Sequence, residues 1–574
     1  MRSLGTPLDN RVKEHSVEPE RHERAYYMKK QKMALENPGL PGTFKFRTFV
    51  YAASGLNYSA VPALSQYQIY DTPHPEYVTS RIDISAFAQL GFFTPWPFPN
   101  TAVPLNGHVC VPRGRGPFPL ALFAHGNHDP FENSTPGYLY LCELFASHGI
   151  IAATIDVNFL NGANFGENDA RAIVHLEHLK QFRLWTNSVH HPLHRKVNLK
   201  QIMLIGHSRG GEGVGHASLF NTLNSIQPDI FSPLVPLDGS AGLGPYGFIL
   251  SGVAAIAPTD RQYEPIPGPT AVLDRYYLIH GSRDGDVSSF EGYNTYNRSH
   301  AVDLANPTSS DGKLKALLWV IRANHNQFNS AWASETPAAI TMPRPDQEQI
   351  AKVHLGALAQ ALLLRRRRYL DVLRDYAAAT AWVPAGTDFV SQYQDPRRVF
   401  LLHNQESLGA PQISAPVQGT ATAAGVLADR RLVDLVNAGA PQSTVALRME
   451  WNASGDELKL DINPATLPLA RYRALAFRMG QSTEVLNPAG QDQDLTLVIS
   501  SGSRTATVQV SSLHRLLYPD LFFGAGKIVM QSLRLPLRHL VRVGIEPRDL
   551  RSITFVFDRG PTGVIYLGDV QLSD

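Results

Sequence analysis

QIMLIGHSRGGEGV, residues 201–214, passes within three residues from an apolar run of strand length to a glycine-rich helix start. Ser208 stands at the junction, in Gly206-His207-Ser208-Arg209-Gly210. A serine on so sharp a bend is held in strained backbone, and the residues two before and two after it must lack bulk if strand and helix are to approach. Gly206 and Gly210 meet that need. The helix N-terminus beyond Ser208 offers N–H groups and a positive dipole end to a developing oxyanion. The plainer reading is a small residue in a packed turn; the strand-turn-helix context favours a nucleophile.

The flanking sequence repeats this alternation. From Gly107 onward, HVCVP, PLALFAHG, IIAATIDV, QIMLIGHS, SPLVPLDG, RYYLIHGS and KALLWVIR are apolar runs. The stretches Tyr138 to His148, Asn168 to His190 and Arg209 to Leu223 between them are long enough to be crossover helices. Runs of this kind, lacking polar alternation, predict an α/β fold whose mostly parallel sheet is covered by helices on both faces. FKFRTFVYA and SRIDISA, upstream, read as antiparallel strands, and Asp346 to Ala379 as a last helical stretch.

A serine hydroxyl needs a base, and the base an orienting acid. In this architecture the order is Ser, acid, His, each just past a strand on the carboxyl edge of the sheet. His325 in ANHNQFN follows the final strand of the parallel series and is the candidate base. Asp284 in SRDGDVS is the favoured acid, with Asp286 beside it and Asp238 in PLVPLDGS one strand earlier as alternatives. PLALFAHGNHDP supplies a loop whose Gly126 lets backbone approach a substrate oxygen, so the N–H groups of Asn127 and Arg209 are the candidate oxyanion donors. This chemistry calls for no metal or organic cofactor. LGFFTPWPFPN (90–100) and Trp332 are candidates for an apolar acyl pocket, against the commoner role of such residues as core.

Bulk properties exclude more than they assign. A chain of 574 residues exceeds one hydrophobic core, so two domains are expected. A net charge of +2 gives no reason to expect nucleic acid or an anionic membrane. Two cysteines, Cys110 and Cys142, permit one bridge and no thiolate metal cluster. No apolar run is long enough to span a bilayer and the first residues form no apolar signal core, so the chain as written reads as cytoplasmic; a processed or incomplete N-terminus would allow a secreted or periplasmic protein. The run Arg365 to Arg368 reads as a solvated face rather than an anion site.

After about Pro384 the texture changes to short alternating segments separated by Pro, Gly, Thr and Ala, among them ALRMEW, ELKLDI, DLTLVISS, SITFVFD and VIYLGDVQL. That is the pattern of a β-sandwich. The expected organisation is a polar arm over 1–41, a catalytic α/β domain over 42–383 and a β-sandwich over 384–574.

HGN, GHSRGG, GSRDGDV and NHNQF, spread over roughly Gly107 to Trp332, together resemble the α/β-hydrolase superfamily. Within it they are similar to esterases near the chlorophyllases, dienelactone hydrolases, platelet-activating-factor acetylhydrolases and bacterial polyester hydrolases. The resemblance implies a carboxylic ester hydrolase working through an acyl-enzyme, with Ser208 as nucleophile, His325 as base, Asp284 as acid and Asn127 and Arg209 at the oxyanion hole. Chlorophyllase-like members take the acid after the earlier strand, which keeps Asp238 open. FRMG, LRLPLRHL, ITFVFD and GVIYLGDVQL resemble the galactose-binding-like jelly rolls of extracellular hydrolases, which implies a module docking a glycan or polymer surface, or a structural cap. The expected partner of the site is a small or polymeric ester. The competing functions are a peptidase or amidase with the same residues, and an inert hydrolase-like protein whose sandwich does the binding.

Overall fold

The computed structural model describes the backbone of residues 15–16 and residues 35–574, apart from 91–93, 163–166, 263–271, 273, 300–312, 396, 405–412, 415–418, 425–427, 438–439, 463–470 and 503. Most of the polar arm and Phe92 and Phe93 of the aromatic stretch thus lie outside the described residues.

Ten strands form the large sheet: β1 (Phe46–Ala53), β2 (Val78–Thr79), β3 (Gly107–Pro112), β4 (Phe118–Ala124), β5 (Ile151–Ile155), β6 (Val197–His207), β7 (Leu250–Ile256), β8 (Tyr276–Gly281), β9 (Lys315–Val320) and β10 (Phe389–Gln394). Their order across the sheet is β10-β9-β8-β7-β6-β4-β5-β3-β1-β2. Pairing is parallel from β5 through β4, β6, β7 and β8 to β9, while β3 runs antiparallel to both its neighbours and β10 to β9. The fold is the expected α/β class.

The continuous apolar runs follow from burial on two faces. In β4, Leu120, Leu122 and Ala124 enter one core with Ile173 of α2 (Asn168–Asn187) and Val214 and Ala217 of α3 (Arg209–Phe220). Ala121 and Phe123, pointing the other way by the two-residue period, enter a second core. There they meet Leu141 and Phe145 of α1 (Leu139–Ser147) and Ile350 and Leu355 of helix Arg344–Leu362. Cys110 and Cys142 are joined as a disulfide, tying β3 to that first helix.

Three sequence expectations need correction. SPLVPLDG is not a sheet strand: only Val235–Pro236 pairs, with Ser225–Ile226, in a separate two-stranded ladder. Its place beside β6 belongs to LSGVAAI, residues 250–256, whose small residues conceal a strand. Gly252 there has Leu362 against it, where a Cβ would clash. The stretch Asp346 to Ala379 is not one helix, for the helix stops at Leu362 and Arg365 takes a left-handed φ of 56° before a short second helix, Leu370–Arg374. Phe389–Gln394, past the expected start of the sandwich, closes the large sheet.

Beyond β10 the strands form two antiparallel-rich sheets. One contains Arg504–Gln509, Thr496–Ser501, Leu550–Phe557, Asp456–Ile462 and Gly419–Ala424, extended by a parallel pairing of His15–Ser16. The other is built around Gly563–Ser573, flanked by Arg398–Asn404, Ala440–Trp451 and Ala474–Gln481. Leu447 and Leu567 of one sheet share a core with Leu458 and Phe555 of the other. This β-rich region leans on the end of the large sheet, where Gln531 Oε1 accepts from Ser391 N at 3.0 Å and Ser532 Oγ from Tyr393 N at 3.0 Å. No helix among the described residues is long and apolar enough to cross a membrane.

Candidate active site

β6 ends at His207 and α3 begins at Arg209, so one residue makes the turn. Ser208 carries φ 56° and ψ −128°, a conformation that side-chain-bearing residues adopt only when their surroundings force it. Its N–H donates to Ile256 O of β7 at 2.9 Å, and its carbonyl accepts from Gly211 N at 2.8 Å. The flanking glycines are needed for space, since a Cβ on Gly206 would collide with the Gly210 carbonyl.

After β4, His125-Gly126-Asn127 runs directly against this turn. A Cβ on Gly126 would strike the Ser208 side chain and lie 2.8 Å from His207 O. His125 is a fixed part of the loop: its Nε2 accepts from Val157 N at 3.1 Å, so Nδ1 is the protonated nitrogen and donates to Gly126 O at 2.8 Å. Burial, aided by Arg171, pushes its pKa down to about 3 and keeps the ring neutral. Asn127 Oδ1 accepts from Gly162 N at 2.9 Å.

Beneath the loop lies a buried cation that sequence reasoning did not single out. Arg171 Nη1 lies 3.5 Å from both His125 O and Gly126 O, and Nη2 donates to Leu160 O and Asn161 Oδ1 at 3.1 Å. Glu167 Oε1 bridges Arg171 Nη2 at 3.2 Å and Arg209 Nη1 at 2.8 Å. Two guanidinium groups thus stand close to the proposed donor positions, held by one carboxylate.

On the neighbouring strands, Asp284 follows β8 and His325 follows β9. Asp284 Oδ2 accepts from His325 Nδ1 at 2.7 Å, both side chains being essentially inaccessible. Asp284 Oδ1 accepts from Asp286 N at 3.0 Å and Val287 N at 2.6 Å. His280, one strand residue short of the end of β8, brings Nε2 to 3.1 Å from Asp284 Oδ2 and was also missed. Burial alone would raise the Asp284 pKa, but His325 and His280 hold it well below the carboxylate range. His325 shows the reverse balance: burial lowers it, while Asp284, Asp286 and Glu335 together raise it to about 9. Glu335 also fixes the backbone of that loop, accepting from His325 N at 2.6 Å and Asn326 N at 2.9 Å.

The two halves meet at a cavity of about 90 Å³ lined by Ser208, Asn127, Arg209, Thr259, Asp286 and Val287 among others. Among the described residues His325 Nε2 has no hydrogen-bond partner; it lies 3.4 Å from Asp286 Oδ2, and Asp286 lines the cavity. The His207 and His325 rings are 4.7 Å apart, which sets His325 beside the residue that precedes Ser208. Of the other acid candidates, Asp238 is exposed and accepts from Ser240 N at 2.9 Å and Ser240 Oγ at 2.6 Å, whereas Asp286 stands at the cavity rim. Among the described residues of the aromatic stretch none lines the cavity: Trp96 stacks on buried Phe98 within the first core. Trp332 is buried, donates Nε1–H to Ser134 Oγ at 2.9 Å and stacks on His128.

A search among curated proteins returned no match to this chain. Residues 93–253 match the family model described as Chlorophyllase, a span that includes Asn127, Ser208 and Arg209 and ends before Asp284 and His325. The large sheet with its helices is therefore an α/β-hydrolase-like domain whose residues 93–253 match the chlorophyllase family of serine esterases.

Proposed function

We propose that the protein is a serine carboxylic ester hydrolase that works through an acyl-enzyme on Ser208. The observation that carries this reading is the 2.7 Å pairing of His325 Nδ1 with Asp284, which leaves Nε2 3.4 Å from Asp286, a residue that lines the same cavity as Ser208. With Nδ1–H held by the carboxylate, Nε2 is the nitrogen that takes a proton.

In the proposed reaction Ser208 Oγ attacks the ester carbonyl carbon as its proton passes to His325 Nε2. That contact closes on substrate binding, as catalytic hydrogen bonds tighten in the Michaelis complex. The N–H groups of Asn127 and Arg209 receive the oxyanion, and one such donor is typically worth about 2.7–4 kcal/mol in the transition state. Arg171 and the Arg209 side chain add positive potential behind them. The imidazolium then protonates the departing alkoxide, leaving an acyl-serine. His325 next activates a water that hydrolyses it, and Ser208 regains its proton.

The cavity is small and its lining largely polar among the described residues, which favours short acyl groups. The test is hydrolysis of p-nitrophenyl acetate, butyrate and octanoate by the protein and by Ser208→Ala. The expected result is turnover that declines with chain length and vanishes in the variant. Undiminished turnover by Ser208→Ala would refute the proposal; a preference for octanoate would refute its acyl-size part.

A further inference from the structure

A second cavity, of about 1280 Å³, opens at the other end of the large sheet. Ser208 lies beyond the carboxyl end of β6, whereas this cleft is bordered by Leu250 at the start of β7, Arg275 before β8 and Leu314 before β9. Its opposite wall comes from the β-rich region, through Arg473, Arg534 and Arg538. The remaining side is the broken helical stretch that carries Arg365 and Arg367. All four members of the arginine run are exposed, as expected of a solvated face, and two of them border this concave site.

The charge of this cleft is one-sided. Nine arginine or lysine side chains line it against two aspartates, Asp371 and Asp574. Those aspartates are engaged, Asp371 with Arg374 at 3.2 Å and Asp574 with Arg397 at 2.6 Å. The buried Asp395 behind them takes Arg534 at 2.6 Å and Arg374 at 3.5 Å. Arg365, Arg367 and Arg473 have no carboxylate within ion-pair distance among the described residues. Arg365 is carried on left-handed backbone that closes the end of the helix, where Arg366 N donates to Gln360 O at 2.9 Å.

Like charges gathered in a recess repel one another, and a bound anion relieves that repulsion. Guanidinium forks pair two oxygens at once on tetrahedral oxyanions, which Arg365, Arg367 and Arg473 are suited to do. A volume of this size holds a small molecule with several such groups. We propose that the cleft binds a compact polyanion bearing two or more phosphate or sulfate groups, bridging Arg365 and Arg367 on the α/β side to Arg473 on the β-rich side. This inference is independent of the chemistry assigned to Ser208.

The test is isothermal titration of the full chain at about 0.15 M salt, where exposed unspecific pairing is largely screened. One arm uses inorganic tripolyphosphate and the other a heparin-derived tetrasaccharide, which separates a phosphate from a sulfate source. Saturable binding of one equivalent of either probe is expected. Arg367→Ala and Arg473→Ala should each weaken it about tenfold or more, the worth of one charge-assisted contact. Ser208→Ala and the remote surface change Arg431→Ala should leave it unaltered. Failure of both probes to saturate, or affinity in the two cleft variants equal to that of the unsubstituted protein, would overturn the proposal.

Discussion

Asp520, from the β-rich region, accepts from Arg283 Nε at 3.0 Å and Arg283 Nη2 at 2.8 Å, gripping the residue that immediately precedes Asp284. The same carboxylate accepts from Ser282 Oγ at 2.5 Å, and Ser282 Oγ in turn accepts from Arg322 N at 2.7 Å, at the base of the loop that bears His325. One side chain of the second region thus braces both the acid loop and the base loop of the first.

Asp520 is accordingly a positioning residue. Asp520→Asn keeps the shape but forfeits the charge in a two-pronged pairing, and losing one charge-assisted hydrogen bond of about 1.5 kcal/mol corresponds to roughly a tenfold change. Steady-state kinetics should show kcat reduced about tenfold with KM little changed, and Asp520→Glu should recover part of the loss. Equal effects on kcat and on thermal midpoint in both variants would indicate support of the fold alone.

The acid is distinguished by exchanging carboxylate for amide at two positions. Asp284→Asn should lower kcat by roughly 10⁴, as expected when the imidazole loses the partner that fixes its tautomer. Asp238→Asn should change kcat by less than about twofold, because a surface substitution touching only a local turn is nearly neutral. A larger loss at Asp238 would reverse the assignment.

Three of the proposed site positions carry a signal in the sequence itself, for a steric reason. The Gly-X-Ser-X-Gly turn, the His-Gly loop and the histidine after the last parallel strand are each tied to a strand end, so chain order alone orders them. The strand beside β6 escaped notice because Ala and Gly give it little strand signature, while Val235 and Leu237 imitated one. That error is also what lent Asp238 its apparent place at a strand end. Arg171, His280 and Asp520 were invisible because their roles depend on side chains meeting across distant segments, which no local pattern encodes.

Activity should climb with pH. His325 acts as a base only when neutral, and its pKa is raised to about 9 by Asp284, Asp286 and Glu335 against the opposing effect of burial. The ring is therefore mostly protonated near neutrality, and kcat/KM should increase about tenfold per unit of pH until it levels near pH 9. Asp286→Asn removes one of the raising charges and should move this limb to lower pH, by more at low salt because Asp286 is exposed. A limb already flat at pH 7, or one indifferent to the substitution, would contradict this balance of charges.

Gly126→Ala tests the close approach of the loop to the nucleophile. The added methyl would occupy the position of the Ser208 side chain, with His207 O only 2.8 Å away, so loop or turn must shift. A displacement of this order costs about 10²-fold in a reaction that depends on alignment. Measured kcat/KM should fall by about that factor, while a change within about twofold would mean that the loop does not press on Ser208 in the working enzyme.

Covalent capture tests the proposed nucleophile most directly. The protein should be incubated with a fluorophosphonate, its intact mass determined and the modified peptide sequenced. A single adduct on Ser208, formed much more slowly in His325→Ala and Asp284→Asn, is the predicted result. An unmodified Ser208 in protein that hydrolyses esters, or labelling whose rate ignores both substitutions, would contradict the claim that Asp284 and His325 activate this hydroxyl.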